Sequence, residues 1–275
     1  MNMKLISISL LTAALLGGGW LAYHAKEASA SAGEMKPGKG SPVIVELFTS
    51  EGCSSCPSAD KVLAKLIREQ NVAGANIIAL SEHVDYWNSL GWKDPFSSEI
   101  YTNRQHEYAR KIRFASVYTP QMVIDGQKEF VGSEEDVARQ SIEKAAKQPK
   151  ADIVIEDNPE KRAMQSKPGI YVPFTVQNLP AIQKGDEAEV FAAIVQDSAN
   201  SKVRAGENSG SSLDHVSIVR ILAKAGAIAS NSSAFKGNAT FGIDHYDFRA
   251  TPSHLIIFVQ ERKSRRILGA ASLKI

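Results

Sequence analysis

Two cysteines are all that this 275-residue chain holds, Cys53 and Cys56, and both fall in one stretch, TSEGCSSCPSAD (49–60). That scarcity excludes a multiply cross-linked scaffold, in which several bridges are spread along the chain. Closing so short a loop also removes little entropy from the unfolded state, so the pair is a poor structural staple. Charge of one sign is lacking too. The net charge is +2, which gives no strong pull toward nucleic acid or acidic lipid. The one basic run, ERKSRR (261–266), lies between two apolar stretches and reads as a solvated hairpin loop. No low-complexity tract, internal repeat, phosphate loop or Ser/His/Asp motif is present. What remains is an ordinary globular composition, 43% hydrophobic and 23% charged, on a chain longer than one core usually serves. Two domains are therefore expected.

The first 32 residues read as a targeting segment. A positive start, MNMK, precedes the uncharged LISISLLTAALLGGGWLAY (5–23), and small residues follow at alternate positions, Ala28-Ser29-Ala30 or Ala30-Ser31-Ala32. That is the pattern of a cleavable signal peptide. An uncleaved anchor is the other reading, because the apolar run is near bilayer-spanning length. Gly17-Gly18-Gly19 weakens a permanent helix and favours cleavage. No cysteine follows the run, so a lipoprotein anchor is not expected. A periplasmic or secreted location follows, with membrane contact only if the segment stays attached.

A Gly/Pro/Lys-rich linker (33–41) leads to PVIVELF (42–48), a short β-branched run that reads as a buried strand. PSADKVLAKLIREQ (57–70) reads as a helix opened by Pro57, with Val62, Leu63, Leu66 and Ile67 on one face. A second strand begins at residue 76, and NIIALSEHVDYW (76–87) ends in a polar, aromatic segment. A helix over 98–112 is capped by Ser97 or Ser98, Asp125-Gly126 joins a hairpin over 120–132, and Ser133 starts a helix to about 147. From about 150 the texture changes to strands: 151–157, 169–178, 187–197, 254–261 and 267–275, with 213–226 readable as strand or short helix. Their spacing suggests an antiparallel sandwich.

Cys53 falls at a strand-to-helix junction and Cys56 in or before the first helical turn. Unpaired N–H groups and the helix dipole stabilise a thiolate there. Cys53 is then the attacking sulfur, and Cys56, more shielded, resolves a mixed disulfide. The segment from Val43 to Lys147 resembles a thioredoxin fold, with Cys-x-x-Cys after the first strand and Pro120 opening the hairpin. The resemblance implies a cis Thr119–Pro120 bond beside the cysteines, with Thr119 offering backbone to substrate. VELFTSEGCSSCPSAD, HVDYWNSLGWKDPF and VYTPQMVIDG, with RAGENSG (204–210) and ILGA (267–270), are similar to the secreted, thioredoxin-like bacterial family called domain of unknown function 1223. The expected fold class is thus an α/β thioredoxin-like domain (42–149) followed by an all-β sandwich-like domain (150–275).

In such a sheet the ends of the first two strands lie side by side, which brings residues 81–87 near Cys53. His83 and Asp85 then point to one side. His83 is a candidate thiolate partner, proton carrier or metal ligand, and Asp85 a candidate to orient it. The bland reading has both satisfying loop backbone. Trp87 and Trp92 read as a cleft wall or as core. Glu46, an acid inside an apolar strand, needs a partner. It resembles the buried acid that thioredoxins carry below the cysteines, and the alternative is a solvent-facing strand edge. No spacing rule brings His215, DHYD (244–247) and His254 to one metal, and GENSG (206–210) reads as a plain loop. The leading expectation is an exported thiol–disulfide oxidoreductase that needs no cofactor beyond its own disulfide. Its partners would be protein thiols, disulfides or a redox protein, and not nucleic acid. The alternatives are copper or zinc binding by Cys53, Cys56 and His83, or a non-enzymatic, redox-responsive binding protein.

Overall fold

The Val43–Thr49 run has almost no polar interruption, and it becomes the buried centre of a mixed sheet. The computed structural model describes residues 38–112, 116–156, 169–242 and 251–275. Strand β1 (Ser41–Thr49) pairs in parallel with β2 (Ala75–His83), and antiparallel with β3 (Gln121–Ile124). The edge strand β4 (Lys128–Val131) returns from β3 across Asp125-Gly126-Gln127. Both pairings follow from connection length: a helical crossover gives parallel neighbours, and a tight turn gives antiparallel ones.

Helix α1 (Cys56–Glu69) makes that crossover. Pro57 sits at its start, where no N–H is needed, and Gln70 ends it in a left-handed conformation with its N–H on the Leu66 carbonyl. Ala59, Leu63, Leu66 and Ile67 pack on Val45 and Leu47 of β1 and on Ala138 and Ile142 of α3 (Glu135–Ala146). Truncating one of these fully buried leucines to Ala costs about 2–5 kcal/mol. α3 starts later than Ser133 suggests; Glu134 takes the cap position, with no side-chain cap bond, and the acids fall in the first turn. Helix α2 (Glu99–Ile112) follows Ser98, whose Oγ accepts the Ile100 N–H at 3.2 Å.

The C-terminal residues form β5 (Asp152–Ile155), β6 (Gly169–Gln177), β7 (Ala188–Lys202), β8 (Ser212–Ile228), β9 (Phe235–Gly242), β10 (Ser253–Glu261) and β11 (Ile267–Lys274). The segment 213–226 is therefore strand. β9 was not expected; its Lys, Gly and Asn hide a strand that pairs with β6 along its whole length. β5, β6 and β9 form a three-stranded sheet. Val172, Phe174 and Val176 of that sheet pack on Val190, Ile194, Leu255 and Ile257 of the larger one.

The larger sheet has eight strands in the order β11-β10-β7-β8-β2-β1-β3-β4. It runs through both expected domains, so residues 42–149 and 150–275 share one hydrogen-bonded layer. The join is a single parallel pair, Ser81 with Ile218. Tyr101 of α2 adds to it by donating its hydroxyl to the Val219 carbonyl at 2.7 Å. The ERKSRR turn does connect β10 to β11, but it is not simply solvated: Ser264 and Arg265 are buried, and Arg265 pairs with Glu107 at 2.9 Å. No helix among the described residues is long and apolar enough to cross a membrane. The expected targeting segment (1–32) and the DHYD run lie outside the described residues.

Candidate functional site at the cysteine pair

β1 ends at Thr49, and the chain turns through Ser50–Ser55 before Pro57 starts the helix. Cys53 and Cys56 are joined in a disulfide at that corner. Cys53 N–H bonds to the Ser50 carbonyl and Cys56 N–H to the Cys53 carbonyl, both at 3.2 Å, which sets the loop's curl. Cys53 is 1% exposed and Cys56 0%, so both sulfurs are shielded, not Cys56 alone. Ser54 and Ser55 between them are exposed.

The Thr119–Pro120 peptide bond is cis, as the resemblance implied. Pro120 is buried at the start of β3. A Cβ on Gly132 would lie 3.0 Å from Ala59 Cβ and 3.4 Å from Pro120 Cβ, which places the proline beside the first turns of α1. Trp87 donates its indole N–H to Thr119 Oγ1 at 2.8 Å, and its Cβ stands 3.0 Å from where Gly52 would carry one. Trp87 and Thr119 thus form one wall beside the cysteine loop. Trp92 is also placed there, with its indole N–H on Glu51 Oε2 at 2.6 Å.

Two expected site residues are placed differently. Glu46 is buried on the α2 side of β1, where it accepts bonds from Arg104 and Tyr108, with Gln260 also bonded to both of those side chains. Strand alternation explains this: Leu47 and Thr49 face α1, so Glu46 and Phe48 face away from it. Glu46 is therefore not the acid beneath the cysteines. Asp85 is taken by Thr102, whose hydroxyl donates to Oδ1 at 2.6 Å. The carboxylate that holds His83 is Asp94, at 2.7 Å from Nδ1.

Asp94 belongs to a buried cluster behind the disulfide. Its Oδ2 also accepts the Glu51 N–H at 2.9 Å, and its Oδ1 the Phe96 N–H. His83 and these N–H groups outweigh the cost of burial and hold the Asp94 carboxyl below its ordinary value. Burial pulls His83 down, but Asp94, with Asp60 and Glu51, more than reverses that and leaves its imidazole raised. Asp60 is on α1, one turn beyond Cys56, with its Oδ1 accepting the Thr49 hydroxyl at 3.1 Å. Burial raises the Asp60 carboxyl, and His215 and His83 offset part of that. His215, from β8, stands among them: its ring centroid is 4.8 Å from that of His83 and 5.6 Å from that of Phe96. It faces Glu51 Oε1 at 3.3 Å and Asp60 Oδ2 at 3.7 Å.

The C-terminal half also covers the cysteine loop from outside. The turn at Gly206–Gly210 is closed by the Gly210 N–H on the Val203 carbonyl. Asn208 Nδ2 donates to the carbonyls of Glu51 (2.9 Å) and Cys53 (3.0 Å), and Glu207 Oε2 accepts the Ser54 N–H at 2.9 Å. Ser54, through its hydroxyl first and then this N–H, lowers the Glu207 carboxyl. GENSG is thus the clasp on the cysteine loop rather than an idle turn. Asp60, Asp94, Glu207, Asn208 and His215 were not among the expected site residues. Asp60, on the buried face four residues after Cys56, was the one with a sequence signal. Elsewhere, His254 pairs with Asp197 at 2.6 Å and takes no part in this cluster. Among the described residues no three His, Cys, Asp or Glu side chains are arranged to hold a metal ion.

A protein of Agrobacterium tumefaciens of known crystal structure is similar to this chain at a TM-score of 0.64 and 22% identity, over 86% of this chain and 95% of its own. That likeness supports the fold. A Kluyveromyces marxianus β-glucosidase, at 12% identity and a TM-score of 0.23 over 76% of this chain and 20% of its own, has no bearing on it. No curated protein matches. The model of the family described as "Protein of unknown function (DUF1223)" matches residues 44–260, which takes in the cysteine loop, the clasp and most of both sheets. The chain belongs to the DUF1223 family.

Proposed function

We propose that the protein is an exported thiol–disulfide oxidoreductase, built from a thioredoxin-like half (42–149) and a sandwich-like half (150–275) that completes its site. The observation that carries this reading is the disulfide itself, held at the amino end of α1. A thiolate released there is stabilised by unpaired N–H groups and the helix dipole. Trp87 and Thr119 supply a wall against which a substrate chain can lie. In the reduced protein Cys53 attacks a substrate disulfide: the substrate S–S bond breaks, a Cys53–substrate bond forms, and the other substrate sulfur leaves as a thiolate. Cys56 then attacks Cys53, releasing the second substrate thiolate. Two electrons pass from the cysteine pair to the substrate, and the reverse sequence oxidises a dithiol. Substrates are protein or small thiols and disulfides, and the working compartment is the periplasm or the exterior.

Alkylation of the reduced protein across a pH series tests this. Cys53 is expected to react first, with an apparent pKa below the value near 8.5 of a free thiol. Equal reactivity of both sulfurs at an unshifted pKa would remove the basis of the proposal.

A further inference from the structure

His215 is a buried imidazole with no hydrogen bond on either ring nitrogen, wedged between the buried carboxylates of Asp60 and Glu51. Nδ1 faces Asp60 Oδ2 at 3.7 Å and Nε2 faces Glu51 Oε1 at 3.3 Å, and Glu51 Oε1 is itself without a hydrogen bond. An orphaned buried polar atom destabilises the fold, so a purely structural side chain would have been better apolar. Neither contact is a hydrogen bond as placed, and a small ring movement would close either one.

The surroundings set a direction. Asp60 and Cys56 occupy successive turns on the buried face of α1. Glu51 lies two residues before Cys53, in the segment that Asn208 clasps. Around them stand His83 from β2, already paired with Asp94, and Arg220 of β8, whose guanidinium lies 5.1 Å over the Phe96 ring. Asp94 is occupied by His83 and two backbone N–H groups. His83 Nε2 is also without a hydrogen bond, but among the described residues it is His215 whose two ring nitrogens face both Asp60 and Glu51.

We propose that His215 is a proton-relay residue for the cysteine pair, passing a proton between Asp60 beside Cys56 and Glu51 beside the clasped loop. The inference rests on the oxidoreductase reading and gives the C-terminal half a chemical part in it. When a dithiol opens the Cys53–Cys56 bond, two electrons enter and two sulfurs are left needing protons. The Cys56 thiolate, shielded from water, takes one from the Asp60 carboxyl. Neutral His215, protonated on Nδ1, passes that proton to Asp60 while Nε2 takes one from the Glu51 carboxyl, and Glu51 regains its own from solvent when the clasp lifts. Closing the disulfide runs the same transfers backward, so no further oxidant or reductant enters beyond the dithiol and its disulfide.

The test compares disulfide reduction by dithiothreitol in wild type, His215→Gln and Asp60→Asn between pH 5 and 8. The ratio of variant to wild-type rate at each pH is read, because the reductant's own ionisation cancels in it. His215→Gln is expected to slow reduction about tenfold or more, by a factor that changes with pH, and the double variant should lose little beyond either single one. A ratio that stays constant across pH overturns the relay, whatever its size, because a structural defect has no reason to titrate. Should His215→Gln fail to fold, the wild-type solvent isotope effect on reduction and its loss in Asp60→Asn decide the matter; an unchanged isotope effect overturns the proposal. Reduction by dithiothreitol is measurable whether or not the chain serves biological thiols. A pH-dependent ratio in a protein that ignores protein disulfides would therefore sink the proposed activity and spare the relay.

Discussion

Replacing Asn208 with Ala removes the one side chain among the described residues that bonds the carbonyls on both sides of Gly52, those of Glu51 and Cys53. Two hydrogen bonds of about 1 kcal/mol net each are lost from the clasped form and none from the open one. A shift of about 2 kcal/mol raises the open population about 30-fold, at 1.4 kcal/mol per factor of ten. The sulfurs are 1% and 0% exposed, so a reductant reaches them only through opening, and the reduction rate follows the open fraction while closing is fast. The assay is reduction by dithiothreitol at fixed pH, quenched by alkylation and counted by mass. Asn208→Ala is expected to react about 30-fold faster than wild type, with a fall in melting temperature no larger than that of an equally destabilised distant variant. A rate within twofold of wild type would refute the clasp. So would an equal acceleration in a variant destabilised far from the site, because exposure would then come from global unfolding.

The distant control is Gly126→Ala. Gly126 has φ +67° in the β3–β4 turn, and a Cβ there would lie 1.9 Å from the Arg265 carbonyl oxygen. The substitution should cost about 2 kcal/mol or more and lower the melting temperature by about 4–8 °C; an unchanged melting curve would contradict the packing described. Glu82→Gln should stabilise the protein, and more so at pH 8 than at pH 5. Burial, and then the neighbouring Glu46, raise the Glu82 carboxyl well above its ordinary value despite the Arg104 guanidinium 3.4 Å from Oε1, and neither oxygen has a hydrogen-bond partner. The folded state therefore binds this proton more tightly than the unfolded chain does, and it loses stability as pH rises above the ordinary carboxylate range. Gln removes that loss, worth about 1–3 kcal/mol, and urea midpoints at the two pH values read it. An equal effect at both would contradict the assignment.

The N-terminal elements were legible because local signals agreed: Pro57 at a helix start, Asp-Gly in a hairpin, a β-branched run in a buried strand. The boundaries of α1 and β1 fall within a residue or two of the expected ones. β9 escaped because pairing with β6, rather than β propensity, makes Phe235–Gly242 a strand. The single layer shared by both halves was not legible either, since nothing in 213–226 records that Ile218 will meet Ser81. At the site, the cysteine pair could be read locally, and its proline through the resemblance to a thioredoxin fold. The partners of His83 and Asp85 depend on how the 84–98 loop folds back, and alternation along a strand does not reach that far. Asp94 rather than Asp85 meets His83 for that reason. The Glu46 expectation failed on parity alone, a matter of which side of one strand faces α1.

β2 keeps nine partners on β1 and one on β8. Resistance to shear grows with the number of rungs in a ladder, so tension drawn across this sheet would concentrate on one line. The layer would yield first at Ser81 and Ile218, and it would part only once the Tyr101–Val219, Ile267–Asp125 and Asn208–Cys53 bonds gave way. The parted edge would carry His215 and the Asn208 turn away together, and the cysteine corner would keep its own helix and strand.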